Sequence, residues 1–181
     1  MKATRAFATL LVLVSGTSLM RADVVGKPLN KQSITAAELE DMLASEPAPK
    51  VVHALMGPGD SDPVLWDFVL NKIESGDATW LRIAVLLGPG MDGAVAEDLI
   101  AAEAEALPRS PDLVLALFGA SVCFISEASW PSSLAAYQHE LAKRRDIVKS
   151  IRQPRLNVEQ QKCLDSYASD YVLAEEYYSK K

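Results

Sequence analysis

The chain has 181 residues, with 18 Lys and Arg against 24 Asp and Glu, and a formal net charge of −6. Nucleic acid and anionic membranes both repel a net negative charge, which argues against either as the partner. Hydrophobic residues make up 49 % of the chain, enough to bury a substantial core at single-domain size.

Lys2 and Arg5 precede the apolar run Ala6 to Val14, which continues through Ser15, Gly16 and Thr17 to Leu19. This order of charge, apolar run and small residues reads as an export signal. A spanning helix needs about 20 apolar residues, and the serine-rich second half falls short of that. The signal is therefore expected to be removed, with cleavage after Ala22 and a second position after Ser18; the alternative is an apolar helix docked on the domain. Removal takes away Lys2, Arg5 and Arg21 but no acid, leaving a more acidic chain. With no cysteine near either position to take a lipid, the expected product is periplasmic or secreted and inserts in no membrane.

Residues 23–33, with Gly26, Pro28 and Asn30, read as an extended lead-in, and residues 34–181 as a single helical domain. Thr35 and Glu38 have the spacing of a capping box, so a helix starts there and ends near Ser45. Pro47 and Pro49 break it. Val51 to Met56 is an apolar run that local pattern leaves unassigned, and Gly57-Pro58-Gly59-Asp60 closes it as a turn.

Asp62 as cap and Pro63 in the first turn open the next helix, apolar around most of its circumference from Val64 to Ile73. Ser75-Gly76-Asp77 ends it and caps the following one, Ala78 to Leu87, expected to be the most buried element. Gly88-Pro89-Gly90 stops that helix. Asp92 caps a third, running to about Leu107, with Val95, Leu99, Ala102 and Ala106 on one stripe and Glu97, Glu103 and Glu105 projecting elsewhere, which makes it a one-sided surface helix. Ser110-Pro111 opens a fourth, Asp112 to Phe118. Residues 62–118 thus form two successive hairpins, resembling a pair of solenoid-type repeats.

Gly119 to Trp130 fits strand or helix equally well. A long helix follows Pro131 to about Ile151, Pro154 breaks it, and Asn157 caps the last helix. The fold class is all-α, with about six to seven helices built from antiparallel hairpins. Cys123 and Cys163, the only cysteines, allow one internal pairing, which an oxidising compartment favours. The alternative, a reactive Cys123 thiol with His139 as base, has no spacing rule behind it.

Catalytic apparatus is hard to find. His53 and His139 are the only histidines and lie far from metal-ligand spacing. Gly119-Ala120-Ser121 lacks the second glycine of a nucleophile elbow, and the two Gly-Pro-Gly turns offer few N–H groups to a phosphate. No catalytic, metal or cofactor residue is assigned, and no enzymatic activity is expected. Lys143, Arg144, Arg145, Lys149, Arg152 and Arg155 form a basic zone set against an acidic one from Asp92 to Asp112, which either steers a partner of opposite charge or forms an internal or solvated ion network, with Glu140 and Arg144 spaced one helical turn apart as an example. Tyr167, Tyr171 and Tyr178 form a helical stripe with Tyr177 beside it, which suits either a contact surface or core packing. Tyr167, Tyr171, Tyr178, Arg144, Arg145, Lys149 and Arg152 are the candidate partner surface, because tyrosine and arginine suit protein contacts.

In size, export signal and helix arrangement the chain resembles the small helical periplasmic immunity proteins of type VI secretion effectors. That resemblance implies a protein that plugs an effector's active site and forms homodimers, with Gly57 to Asp62 and Gly88 to Asp92 as candidate plug loops. The expected function is binding of a protein partner, such as a secreted effector. The alternatives are an accessory or structural protein of the envelope and, third, an unrecognised enzyme.

Overall fold

The structure is a computed structural model that describes residues 33–57, 64–89, 91, 93–126 and 129–180. The expected export signal, nearly all of the lead-in, the expected Asp62 and Asp92 caps, residues 58–62 of the first candidate plug loop and Gly90 and Asp92 of the second lie outside the described residues. Those that are described form an all-α fold without strands.

Helix α1, Ala36–Ser45, begins at the expected capping box, with the Glu38 carboxylate accepting from the Thr35 N–H at 2.9 Å and the Thr35 hydroxyl accepting from the Glu38 N–H. Helix α2, Ala48–Met56, takes in the unassigned apolar run and starts earlier than the prolines suggest. Pro49 lies in its first turn, where a missing N–H costs nothing because those donors have no intrahelical acceptor.

Helices α3, Val64–Glu74, and α4, Ala78–Leu87, are joined by Ser75, Gly76 and Asp77, and the Asp77 carboxylate accepts from the Thr79 and Trp80 N–H groups. Helices α5, Gly93–Ala106, and α6, Pro111–Phe118, repeat the arrangement. α3 packs on α5 and α4 on α6, so the two hairpins stack in register. Their turns are stitched together: Arg109 donates to the Glu74 carbonyl at 2.6 Å and Ser110 to the Gly76 carbonyl at 2.7 Å.

Gly76 sits at φ +74, and a Cβ there would lie 2.9 Å from the Arg109 Cβ. Gly76→Ala is therefore expected to destabilise by more than the 1–2 kcal/mol, roughly, of a left-handed alanine alone. Urea denaturation of the variant checks this.

Gly119–Val122 forms one short 3-10 turn, and Pro154–Leu156 another. Helix α7 spans Leu134–Ser150 and α8 spans Asn157–Ser179. Asn157 is the first helical residue of α8 and not its cap, because the 3-10 turn leads straight into the helix. α7 and α8 run antiparallel. The Gln138 amide donates to the Tyr171 hydroxyl, the Gln160 amide to the Val148 carbonyl, and the Tyr178 hydroxyl to the Pro131 carbonyl, so the contacts climb one helix while descending the other.

The disulfide Cys123–Cys163 joins α8 to the segment after α6, with Cα atoms 5.2 Å apart and both residues buried. Beside it, Glu159 accepts from the Ala120 N–H at 2.9 Å. Lys162, together with that N–H, holds its carboxyl below the usual carboxylate range.

One hydrophobic cluster runs from Ile34 to Ala174 and includes the fully buried Trp66, Leu81, Ile83 and Tyr167. α4 is the most buried helix, as expected, with Trp80, Leu81, Ile83, Ala84 and Leu87 inside, although Val85 and Leu86 are exposed. One expectation is corrected. α5 is no one-sided surface helix: α3 and α6 pack against it, and Glu103 is buried with Ala102, Ala104 and Ala106.

Candidate functional site

Arg144, a candidate for the partner surface, is instead the best buried charge among the described residues, only 3 % exposed, and it does pair with Glu140 as their spacing suggests. Its Nε donates to Glu140 one turn back at 3.2 Å, and its Nη2 reaches Glu105 on α5 at 2.7 Å. Nη1 donates to the carbonyls of Ala104, at 3.1 Å, and Phe124. The Ala104 carbonyl lies in the last turn of α5, which leaves its carbonyls short of intrahelical donors. One guanidinium therefore closes the end of a helix, fixes the irregular segment after Val122 and ties both to α7. Burial alone would weaken the charged form. The Glu105 charge and the hydrogen bonds to both glutamates more than offset it, so Arg144 holds its proton more tightly than usual.

Acidic and phenolic groups surround this cation. Burial, with Asp170 nearby, pushes the Tyr137 hydroxyl up to about 12, and burial also raises the Tyr167 hydroxyl and the Asp170 carboxyl. Beside the network opens a cleft of about 320 Å³, lined in part by Glu105, Ser129, His139, Glu140 and Arg144. Its two carboxylates are both committed to Arg144, and Glu140 also faces Lys143 at 3.6 Å. The arrangement does structural work.

Tyr167 is also corrected: it is fully buried, one turn beyond the disulfide-bonded Cys163 and hence on the same inward face of α8. Tyr178 is half-buried in an aromatic cluster, stacked on Trp130 and tilted against Tyr137, with Tyr177 edge-on to both Trp130 and Tyr178. Tyr171 is partly exposed. Arg145 is half-buried, whereas Lys149 and Arg152 are exposed near the C-terminal end of α7. The antiparallel pairing puts Tyr178 beside Pro131 and the N-terminal end of α7, so the tyrosine stripe and the basic residues do not meet as one surface.

Among the described residues Arg145, Arg152 and Arg155 enter no ion pair. Arg152 donates to the Lys149 carbonyl and Arg155 to the Gln153 side chain, and Lys149 reaches only Asp146, at 3.6 Å. The basic end thus carries three arginines that no carboxylate among the described residues pairs. Sequence reasoning missed Glu105 as the Arg144 partner, the burial of Glu103 and the exposure of Val172 and Leu173.

Glu103 is 7 % exposed, and burial raises its carboxyl to about 7. The folded state therefore keeps this proton after the unfolded chain has lost it, so the glutamate is least costly in acid. Stability is expected to fall as pH rises from about 4.5 to about 7. Glu103→Gln should nearly match the parent at pH 4 and exceed it at pH 8 by up to about 3 kcal/mol. Equal stability of the two proteins at pH 8, by chemical denaturation, would refute the assignment.

No protein-family model, curated protein or solved structure matches this chain. Among the described residues, no group of three or more His, Cys, Asp or Glu side chains could hold a metal ion. No helix there is long and apolar enough to cross a membrane.

Proposed function

We propose that this chain is an exported, non-enzymatic protein that acts by binding another protein, in the manner of an immunity partner of an antibacterial effector. The observation that carries the reading is the basic end of the α7 and α8 hairpin. There Arg145, Lys149, Arg152 and Arg155 keep their charge largely unneutralised on a chain that is acidic as a whole. Such a local reversal of sign steers an acidic protein surface towards one patch and repels it elsewhere. The disulfide supports export, because such bonds persist in oxidising compartments. A frame pinned by a disulfide and a buried ion network also presents its surface without an ordering cost on binding.

The test is to co-express the chain with the product of the reading frame adjacent to its gene, sent to the periplasm of a host cell. Growth should be rescued by the full chain and lost without residues 1–22. The combined Arg145→Glu, Lys149→Glu and Arg152→Glu variant should fold and fail to protect. Recovery of the protein alone from periplasm at every salt concentration, with no neighbouring product neutralised, overturns the proposal.

A further inference from the structure

The Arg144 network holds more negative charge than it neutralises. Glu105 and Glu140 both bond the Nε and Nη2 edge of one guanidinium, the edge that ordinarily takes a single bidentate carboxylate. The two carboxylates therefore lie side by side and share one positive charge. Glu105 Oε1 takes no hydrogen bond from any described residue, so Arg144 alone answers that carboxylate. Lys143 reaches Glu140 only at 3.6 Å and is itself 59 % exposed, a surface pair that neutralises little. Arg109 adds nothing to the balance: it donates to the Glu74 and Glu105 carbonyls, and the Glu74 carboxylate matches its charge.

The pair opens on the cleft of about 320 Å³, and water reaches it there, since the Glu105 and Glu140 side chains are 24 % and 29 % exposed. Ile125, Pro131 and Ala136 give the same cleft apolar walls. Apolar walls leading to an under-neutralised pair of carboxylates suit one kind of guest. Its methylenes shed water against the walls while its charged head meets the acids, as the stems and heads of lysine and arginine do at protein surfaces. The volume is at the small end for a ligand site and has room for one such group.

We infer that this cleft binds an organic cation, an ammonium or guanidinium carried on a short aliphatic stem. Arg144 holds both acids in place before the guest arrives, so little ordering opposes binding. The stem belongs either to a free amine or to a basic side chain of another protein. Neither Arg145, Lys149 nor Arg152 lines the cleft, so this site and the acidic partner of the basic end can fail separately.

The test is an NMR titration of the oxidised chain with butylguanidinium and with acetyl-arginine amide, each beside its neutral urea counterpart, butylurea or acetyl-citrulline amide. At least one cation should bind with a dissociation constant of about 1 mM, and its urea counterpart at least about tenfold more weakly. Binding of butylguanidinium alone assigns the site to a free amine, and binding of the capped arginine assigns it to a protein side chain. Glu140→Gln should weaken binding at least about tenfold. Ala136 is exposed in the first turn of α7, so Ala136→Phe fills the cleft without touching the ion network; it should abolish binding and leave the circular dichroism unchanged. Binding of neither cation, equal binding of the ureas, or binding that survives Ala136→Phe would each overturn the inference.

Discussion

Replacing Cys123 and Cys163 together by serine is expected to lower stability by about 4 kcal/mol, because the bridge closes a loop of 40 residues and removes that loop's freedom from the unfolded chain. The bond joins the segment after α6 to α8, where it acts beside the Arg144 network, the Glu159 contact to Ala120 and the core packing of Tyr137, Leu141, Val148 and Tyr167. Both cysteines are buried, so reductant has poor access to the native bond. The oxidised protein should thus resist dithiothreitol until denaturant is added. Chemical denaturation of the two forms measures the difference, and equal midpoints would show that the bridge contributes nothing.

Arg144→Leu is the second large effect. It removes the buried cation of the network and leaves Glu105 and two carbonyls facing an apolar side chain, with Glu140 left only Lys143, an arrangement that costs about 3–5 kcal/mol when one member of a buried pair is lost. Adding Glu105→Leu should return part of the loss, since the charge stranded by the first change is then gone. A single variant as stable as the parent would show that Arg144 is not held as described, and a double variant worse than the single would assign the loss to packing.

Much of the framework was legible in local chemistry. The Thr35 box, the Asp77 cap, the Gly76 turn and the stacked hairpins of α3 to α6 follow from residues close in sequence, where capping and turn geometry decide. Pro47 and Pro49 end the first helix as expected, but they left the next one unassigned, because a proline that breaks one helix also fits the opening turn of another. The candidate surface was less legible. Arginine on a polar helix is read as solvated, and only Glu105, 39 residues away, reveals that Arg144 points inward. Tyr167 carried a usable sign: a bonded Cys163 must face the core, and one helical turn carries Tyr167 with it. The same reasoning turns Val172 and Leu173 outward, which their apolar character alone conceals. Glu103 gave no sign, because its burial depends on how α3 and α6 close around α5.

The last helix is fastened twice, by a covalent bond near its start at Cys163 and by the Tyr178 hydroxyl and the Trp130 cluster near its end. A C-terminal helix held at one point only frays from its free end, and its amide protons exchange with solvent long before the core opens. Between the two fastenings this helix cannot peel away piecemeal. Deuterium uptake from about Leu164 to about Ala174 should therefore follow the same slow clock as the buried centre of α4, and should quicken only when the protein unfolds as a whole.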